Sequence, residues 1–429
     1  MASLFLPLTV AYCCWALLSA VAGLRMWPVS TRCQHAVWLG WPVAWALLAI
    51  VPWTGWLPAW PEPVKRAIDS AVSPMTVTLA AYVLLAVAAV ARGWWTRPAV
   101  AWSMLNLFLL WLGLSLPDAE FMAVVGQPDN VAIVGMVVLL GVCLWSATAQ
   151  AVENDRRAGL GRPSVEHEYS ETVLVWPDLV YIELIAMILV SVLLVVWSVV
   201  LQAPLEAPAN PTLTPNPSKA PWYFLGLQEL LAYSDAWWVG VVVPTLILIG
   251  LAAIPYVDRN PAGVGYYTIR SRRFAVGVFV GGFLLLWILP ILIGVFMRGP
   301  NWAAFGPYEP RDARRAGEQA TLKLSHWFWS ALGQPVPEPA NGASGWARFS
   351  TVLWRESAGI VLLTVYLIGT PILLRWTWMR PLRSQLGSTR FWIVTILLVL
   401  MLTLPLKMLL RWTLGLGYVV SMPEYALSF

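Results

Sequence analysis

The sequence predicts an all-α integral membrane protein of about ten transmembrane helices, and three observations carry that prediction. Of its residues, 59% are hydrophobic and only 11% charged, with a mean hydropathy of +0.69, more apolar surface than a soluble core can hide. The apolar residues gather into ten runs, at 4–23, 37–57, 74–91, 99–116, 131–150, 172–201, 237–256, 274–297, 357–374 and 391–412. Crossing the hydrocarbon takes about 20 apolar residues, which these runs approach or exceed. Most of the connections between them are short, so the chain reads as a helical bundle.

Taken in order, the run 4–23 lacks a basic leader and an Ala-x-Ala cleavage site, so it is expected to be a retained first helix. Residues 1–150 form a five-helix membrane region without recognisable chemistry, and the charged segment Glu153-Asn-Asp-Arg-Arg157 marks its boundary. After the sixth run comes the segment 202–236. Pro204, Pro208, Pro211, Pro215, Pro217 and Pro221 remove backbone donors and fix φ there, giving a stiff extended path. At its end, Trp222 to Tyr233 has helical spacing that puts Trp222, Leu225, Glu229 and Tyr233 near one face, as a short amphipathic interfacial helix would. A second long loop, 298–356, is too long for an ordinary connection, and Leu324-Ser-His-Trp-Phe-Trp329 within it is an apolar aromatic cluster suited to a membrane or a partner. Trp53, Trp56, Trp94, Trp95, Trp237, Trp238, Trp376 and Trp378 flank spans, as rings that prefer headgroup depth do.

The net charge of +5 is explained by topology rather than by a nucleic-acid partner. With the amino terminus outside, the short inner loops collect Arg25, Arg32, Arg92, Arg97, Arg156, Arg157, Arg162, Arg259, Arg270, Arg272, Arg273, Arg375, Arg380, Arg383 and Arg390, against Lys65, Arg66 and Lys219 outside. Fifteen against three orients the chain in a bacterial cytoplasmic membrane and places 117–130 and 202–236 on the outer side. Cys13, Cys14, Cys33 and Cys143 have no metal-type spacing and no haem-attachment motif, and read as small apolar residues. His35, His167 and His326 all fall outside the apolar runs.

Four segments, in order, carry a family resemblance. They are Pro204-Leu-Glu-Ala-Pro-Ala-Asn-Pro211, Lys219-Ala-Pro-Trp-Tyr-Phe-Leu-Gly-Leu-Gln-Glu-Leu230, Ile254-Pro-Tyr-Val-Asp258 and Arg298-Gly-Pro-Asn-Trp302. Together they resemble the carboxy-terminal domain of cytochrome b, which is a separate subunit IV in cytochrome bf-type complexes. On that resemblance 151–310 is a cytochrome b carboxy-terminal-like domain, with the quinol-site loop at 202–236, and 311–429 is an outer loop plus two further transmembrane helices.

The resemblance implies a non-haem membrane subunit of a bacterial quinol–cytochrome c oxidoreductase, forming part of the quinol-oxidation pocket and inactive alone. The quinol-binding residues it implies are Pro221, Trp222, Tyr223, Phe224 and Leu225, with Tyr223 also a candidate hydrogen-bond partner of the quinol. The family's Pro-Glu-Trp-Tyr carboxylate is missing, because Pro221 stands where the glutamate would and Ala220 where the proline would. Glu229 lies two helical turns beyond Trp222 and is the candidate substitute proton acceptor; the alternative is that it caps or salt-bridges at the interface. Lys219 either orients the loop or meets lipid phosphate, and Asp178 and Glu183 either serve a quinone-reduction site or complement a helix start.

Two b haems need four intramembrane histidines, and these apolar runs contain none. No cofactor is therefore expected on ligands of this chain. The b haems and Rieske cluster implied by the resemblance belong to partners: a haem-binding cytochrome b amino-terminal-type subunit, a Rieske iron–sulfur protein and a cytochrome c, with membrane lipids around them. A second class of function is a quinone-interacting anchor of another redox complex, which neighbouring genes would distinguish. A transporter would need charges in the middle of broken helices, and the central thirds of these runs hold almost none.

Overall fold

The apolar runs fold as helices because a span satisfies all its backbone donors and acceptors internally only in that form. The computed structural model describes residues 5–29, 31–54, 56–168, 173–200, 208, 210–212, 214–259, 267–317, 322–377 and 379–429. Pro204, Trp378 and the side chain of Cys33 lie outside the described residues. Among the described residues nine helices are long and apolar enough to cross a membrane. A tenth is completed by Glu62–Ala71 and Pro74–Val90 if that pair, bent by 84°, forms one span. The all-α membrane architecture with about ten spans is thus present.

Two compact units form, one from Met1–Pro61, Ala86–Pro215 and Gly265–Arg273, the other from Glu62–Leu85, Asn216–Val264 and Phe274–Phe429. In the first, Phe5–Met26 packs along Arg32–Ile50. Tyr12 and Trp45 are fully buried between them, with ring centroids 5.7 Å apart. Asn106, buried on Pro98–Ser115, joins the three helices: its Oδ1 accepts from Trp45 Nε1 at 2.6 Å and from Ser19 Oγ at 3.3 Å. Such interhelical hydrogen bonds stand in for the hydrophobic driving force that lipid removes. At the charged end of Pro128–Gly159, Asn154 Nδ2 donates to Glu166 at 2.8 Å and to the Tyr267 carbonyl at 2.8 Å. Asp155 accepts from Thr268 Oγ1 at 2.8 Å, and Arg157 pairs with Glu168. Every residue of 181–200 is exposed in this chain.

The second unit holds the spans Trp238–Val257, Arg273–Met297, Ser357–Trp376 and Ser388–Leu414. Wide helical turns at Trp238–Val242, Gly281–Ile288 and Val365–Gly369 run into Pro244, Pro290 and Pro371. A proline cannot donate to the carbonyl one turn back, and the wider turn accommodates the lost bond. The loop 298–356 contains the helices Leu324–Ala331 and Gly345–Arg355. Beyond the last span the chain turns back on itself: Leu416–Tyr418 pairs in parallel with Leu322–Lys323, and Ser421–Met422 pairs antiparallel with Leu427–Ser428. Trp238 meets Phe429 edge-on at 4.9 Å within the core that also buries Leu230 and Tyr233.

A short helix, Leu225–Leu231, is pressed against the end of Arg273–Met297. Gly226 permits the approach, since a β-carbon there would lie 3.1 Å from the Trp287 carbonyl oxygen and 3.1 Å from Ile291 Cγ1. Gly226→Val should therefore lower stability by about 1–3 kcal/mol through overpacking. Thermal melting of the chain in nanodiscs measures this, and an unchanged midpoint would contradict the close packing.

Candidate functional site

From Asn216 onward the proline-set segment is tied to the rest of the second unit by polar contacts. Asn216 and Asn301 exchange two hydrogen bonds, Nδ2 of Asn216 to Oδ1 of Asn301 at 2.9 Å and the Asn301 backbone N–H to Oδ1 of Asn216 at 2.7 Å. Lys219 Nζ donates to the Val295 carbonyl at 2.9 Å, which ties the segment to the last turn of a span. The Gln228 side chain bridges back, accepting from the Ala220 N–H at 2.7 Å and donating to the Ser218 carbonyl at 2.8 Å. These bonds satisfy backbone groups that the prolines leave without helical or strand partners.

Helix begins later than the spacing predicted. Pro221 to Phe224 form a turn, with the Phe224 N–H on the Pro221 carbonyl at 2.9 Å and the Leu225 N–H on the Trp222 carbonyl at 3.2 Å, and the helix proper is Leu225–Leu231. Leu225, Glu229 and Tyr233 face inward as expected, at 2%, 0% and 3% exposure. Trp222 does not share that face: it sits in the preceding turn, outside the helical register, and is 40% exposed. Tyr223 and Phe224 are exposed beside it, their rings 4.7 Å apart, and the Trp222 ring meets Tyr223 edge-on at 5.7 Å. Pro221, Trp222, Tyr223 and Phe224 thus form a contiguous exposed aromatic strip, while Leu225 is packed beneath it.

Under the strip lies a buried polar centre. Glu229 takes both arms of Arg298, Nε to Oε2 at 2.8 Å and Nη2 to Oε1 at 2.6 Å. Two further donors complete the carboxylate, Trp302 Nε1 to Oε2 at 3.1 Å and Tyr233 OH to Oε1 at 3.1 Å. Arg298 is 2% exposed, and its remaining arm donates to the Trp302 carbonyl at 2.9 Å. Burial of two charges is tolerable only when the geometry is good and both groups are well hydrogen-bonded, as the bidentate pair is here. The salt-bridged state left open by the sequence is therefore formed, with an arginine 69 positions away. Arg298, Trp302 and Tyr233 were not singled out in the sequence as partners of Glu229. The available signal was a lone basic residue directly after a span, in one resembling segment, and a lone acid in another.

Arg311 donates to the carbonyls of Arg298 at 3.0 Å and Phe296 at 2.6 Å, and so braces the turn that carries Arg298. Lys219 is exposed along its stem, but burial of its ammonium end pushes its pKa down to about 8; Arg311 acts in the same direction and Glu229 opposes it. Among the described residues no group of three or more His, Cys, Asp or Glu is placed to hold a metal ion. His35 stacks on Trp27, with ring centroids 3.9 Å apart, and His326 is exposed on Leu324–Ala331.

Two predictions follow from this geometry. Glu229→Gln leaves the Arg298 charge buried without its counter-ion and should cost about 3–5 kcal/mol, part of which the Glu229→Gln/Arg298→Gln double variant restores. Denaturation of reconstituted protein reads both, and additive losses in the double variant would contradict a coupled pair. Amine-reactive labelling of Lys219, followed by peptide mass spectrometry, should rise with a midpoint near pH 8, because the free amine forms above the lowered pKa. A midpoint above pH 10 would contradict its desolvation.

Comparison with known proteins agrees with the resemblance in the motifs. Residues 208–294 match the family described as cytochrome b(C-terminal)/b6/petD. A menaquinol:cytochrome c reductase cytochrome c subunit of Bacillus subtilis (strain 168) is 34% identical over 166 residues, covering 37% of this chain and 59% of that protein. The protein of the same description from Geobacillus thermodenitrificans is 31% identical over 119 residues, covering 26% of this chain and 48% of that protein. The chain thus spans about half the length of these curated relatives. No solved structure matches it. Over residues 208–294 this chain is similar to cytochrome b(C-terminal)/b6/petD, and among the described residues nine helices are long and apolar enough to cross a membrane.

Proposed function

We propose that the chain is a non-haem subunit of a bacterial quinol–cytochrome c oxidoreductase and that its 216–302 region supplies one wall of the quinol-oxidation pocket. The relatives' description as subunits of a menaquinol:cytochrome c reductase supports a menaquinol-type substrate. The observation that carries the reading is the exposed strip of Trp222, Tyr223 and Phe224 fixed over the buried Glu229–Arg298 pair. Aromatic faces of this kind suit a planar quinol ring, and in the assembly a partner's surface would cover them. In this reading the strip faces the outer side of the membrane, in keeping with the arginine distribution of the loops.

Oxidation of one quinol gives one quinone, two protons and two electrons. In this reading partner subunits would hold the electron acceptors, a Rieske protein its iron–sulfur cluster and a cytochrome b amino-terminal-type subunit its b haems, with a cytochrome c beyond. What this chain contributes is shape and proton handling. Tyr223 offers a hydroxyl at the exposed strip to a quinol oxygen. Glu229 is the candidate proton acceptor, and its four donors define the condition for that role: a proton can settle on the carboxylate only as Arg298, Trp302 or Tyr233 releases an oxygen.

The test is turnover in the isolated native complex. Glu229→Gln should slow quinol oxidation about 10²-fold or more, in line with loss of general-base help, and should change its pH profile. Tyr223→Ala should weaken inhibitors of the quinol pocket. Unchanged turnover together with an unchanged inhibition constant would overturn the assignment.

A further inference from the structure

The second unit carries a cationic hairpin that the proposed quinol wall does not use. The span Ser357–Trp376 returns as Ser388–Leu414 through the short helix Arg380–Leu386. Arg375 sits in the last turn of the first span, Arg380 and Arg383 on the short helix, and Arg390 near the start of the second span. No aspartate or glutamate occurs anywhere from 357 to 423. The turn is firmly built: Met379, Leu386 and Phe391 are buried, and Gly387 closes the short helix at a φ of 78°, its N–H on the Arg383 carbonyl at 3.0 Å.

Within this turn two guanidinium groups share one indole. Arg375 lies 5.6 Å from the centroid of the Trp376 ring and 5.6 Å from that of Trp392, and Arg383 lies 5.7 Å from the Trp376 ring. Arg390 is committed elsewhere, donating from Nε to the Tyr256 carbonyl at 2.7 Å. Among the described residues no carboxylate or carbonyl accepts from the side chains of Arg375, Arg380 or Arg383, and Arg375 Nε is a buried donor without an acceptor. The helix that Arg390 reaches, Trp238–Val257, is followed by Asp258 and Arg259; with both counted, the group holds five arginines and one carboxylate. Like charges drawn to one ring repel each other, and an anion between them removes that cost. Trp376 is 66% exposed at a span end, the depth at which indoles and lipid phosphates meet. Guanidinium groups match phosphate oxygens in charge and fork geometry, and arginines directly beyond a span are suited to anionic lipid.

We propose that this hairpin binds the headgroup phosphate of an anionic phospholipid, with Arg375 and Arg383 as the principal donors, Arg380 at the rim and the indole of Trp376 beside the glycerol. A lipid is the occupant rather than a soluble anion because the arginines stand where two spans end and the ring between them is exposed and apolar. The site is independent of the quinol reading and survives its failure. Binding would hold together the ends of two spans and the turn between them, so its effect is on the cohesion of the unit.

The experiment uses the full chain in nanodiscs of phosphatidylcholine alone or mixed with phosphatidylglycerol, at equal ionic strength. Ligands that bind only the folded state raise its melting temperature. The expected result is a rise of several degrees with phosphatidylglycerol that the Arg375→Gln/Arg383→Gln double variant abolishes and Arg375→Lys/Arg383→Lys partly keeps. The same rise in the double glutamine variant overturns the proposal. No rise in the unaltered chain overturns it too, and leaves the arginines to an acidic segment of a partner. Should the glutamine variant fail to fold, the unaltered chain decides the question. Photoreactive phosphatidylglycerol that cross-links within 375–392 in preference to phosphatidylcholine of the same acyl chains supports the site, and equal labelling by the two lipids overturns it.

Discussion

The bidentate contact between Glu229 and Arg298 is the constraint on which the candidate site depends. Neither charge can remain buried alone, because the desolvation cost of each is met only by the other. The pair joins a seven-residue helix, too short to be stable by itself, to the turn that closes a transmembrane span. Trp302 and Tyr233 complete the carboxylate, Arg311 braces the turn, and Lys219 and Asn216 tether the approach to the helix. With those anchors in place the aromatic strip above has a defined position although its own rings are exposed.

This arrangement divides rigidity from recognition. Below Leu225 the Glu229 carboxylate and the Arg298 guanidinium are buried and hydrogen-bonded, and everything from Pro221 to Phe224 is offered outward. A surface of three adjacent aromatic residues is costly to leave in water and is suited to contact with a ligand or a partner. The same division accounts for Gly226 and Gly294, which let helix and span touch at backbone distance and thereby set how far the strip stands from the span.

Much of this was legible in the chain. Hydropathy alone marks the spans, because a helix in lipid must be apolar over its whole length, and the run 74–91 falls on the second helix of the bent pair Glu62–Ala71 and Pro74–Val90. The inward placement of Leu225, Glu229 and Tyr233 follows from helical period. The exposure of Trp222 does not, since period says nothing about where a helix starts, and the turn at Pro221 delays it. Nor could the link between Glu229 and Arg298 be read from local pattern: two lone opposite charges 69 positions apart meet only through the packing between them. The strand Leu416–Tyr418 was equally hidden, being three residues long and held by Leu322–Lys323 far away in sequence.

In the proposed function this chain shapes a quinol pocket whose redox centres reside on neighbouring polypeptides. The most direct test is to isolate the native assembly from its membranes through a tag on this chain, and to record reduced-minus-oxidised haem spectra and the iron–sulfur paramagnetic resonance signal of the quinol-reduced sample. The account predicts b-type haem and a Rieske cluster co-purifying in fixed ratio with this chain. A stable assembly that contains the chain but neither centre would contradict it.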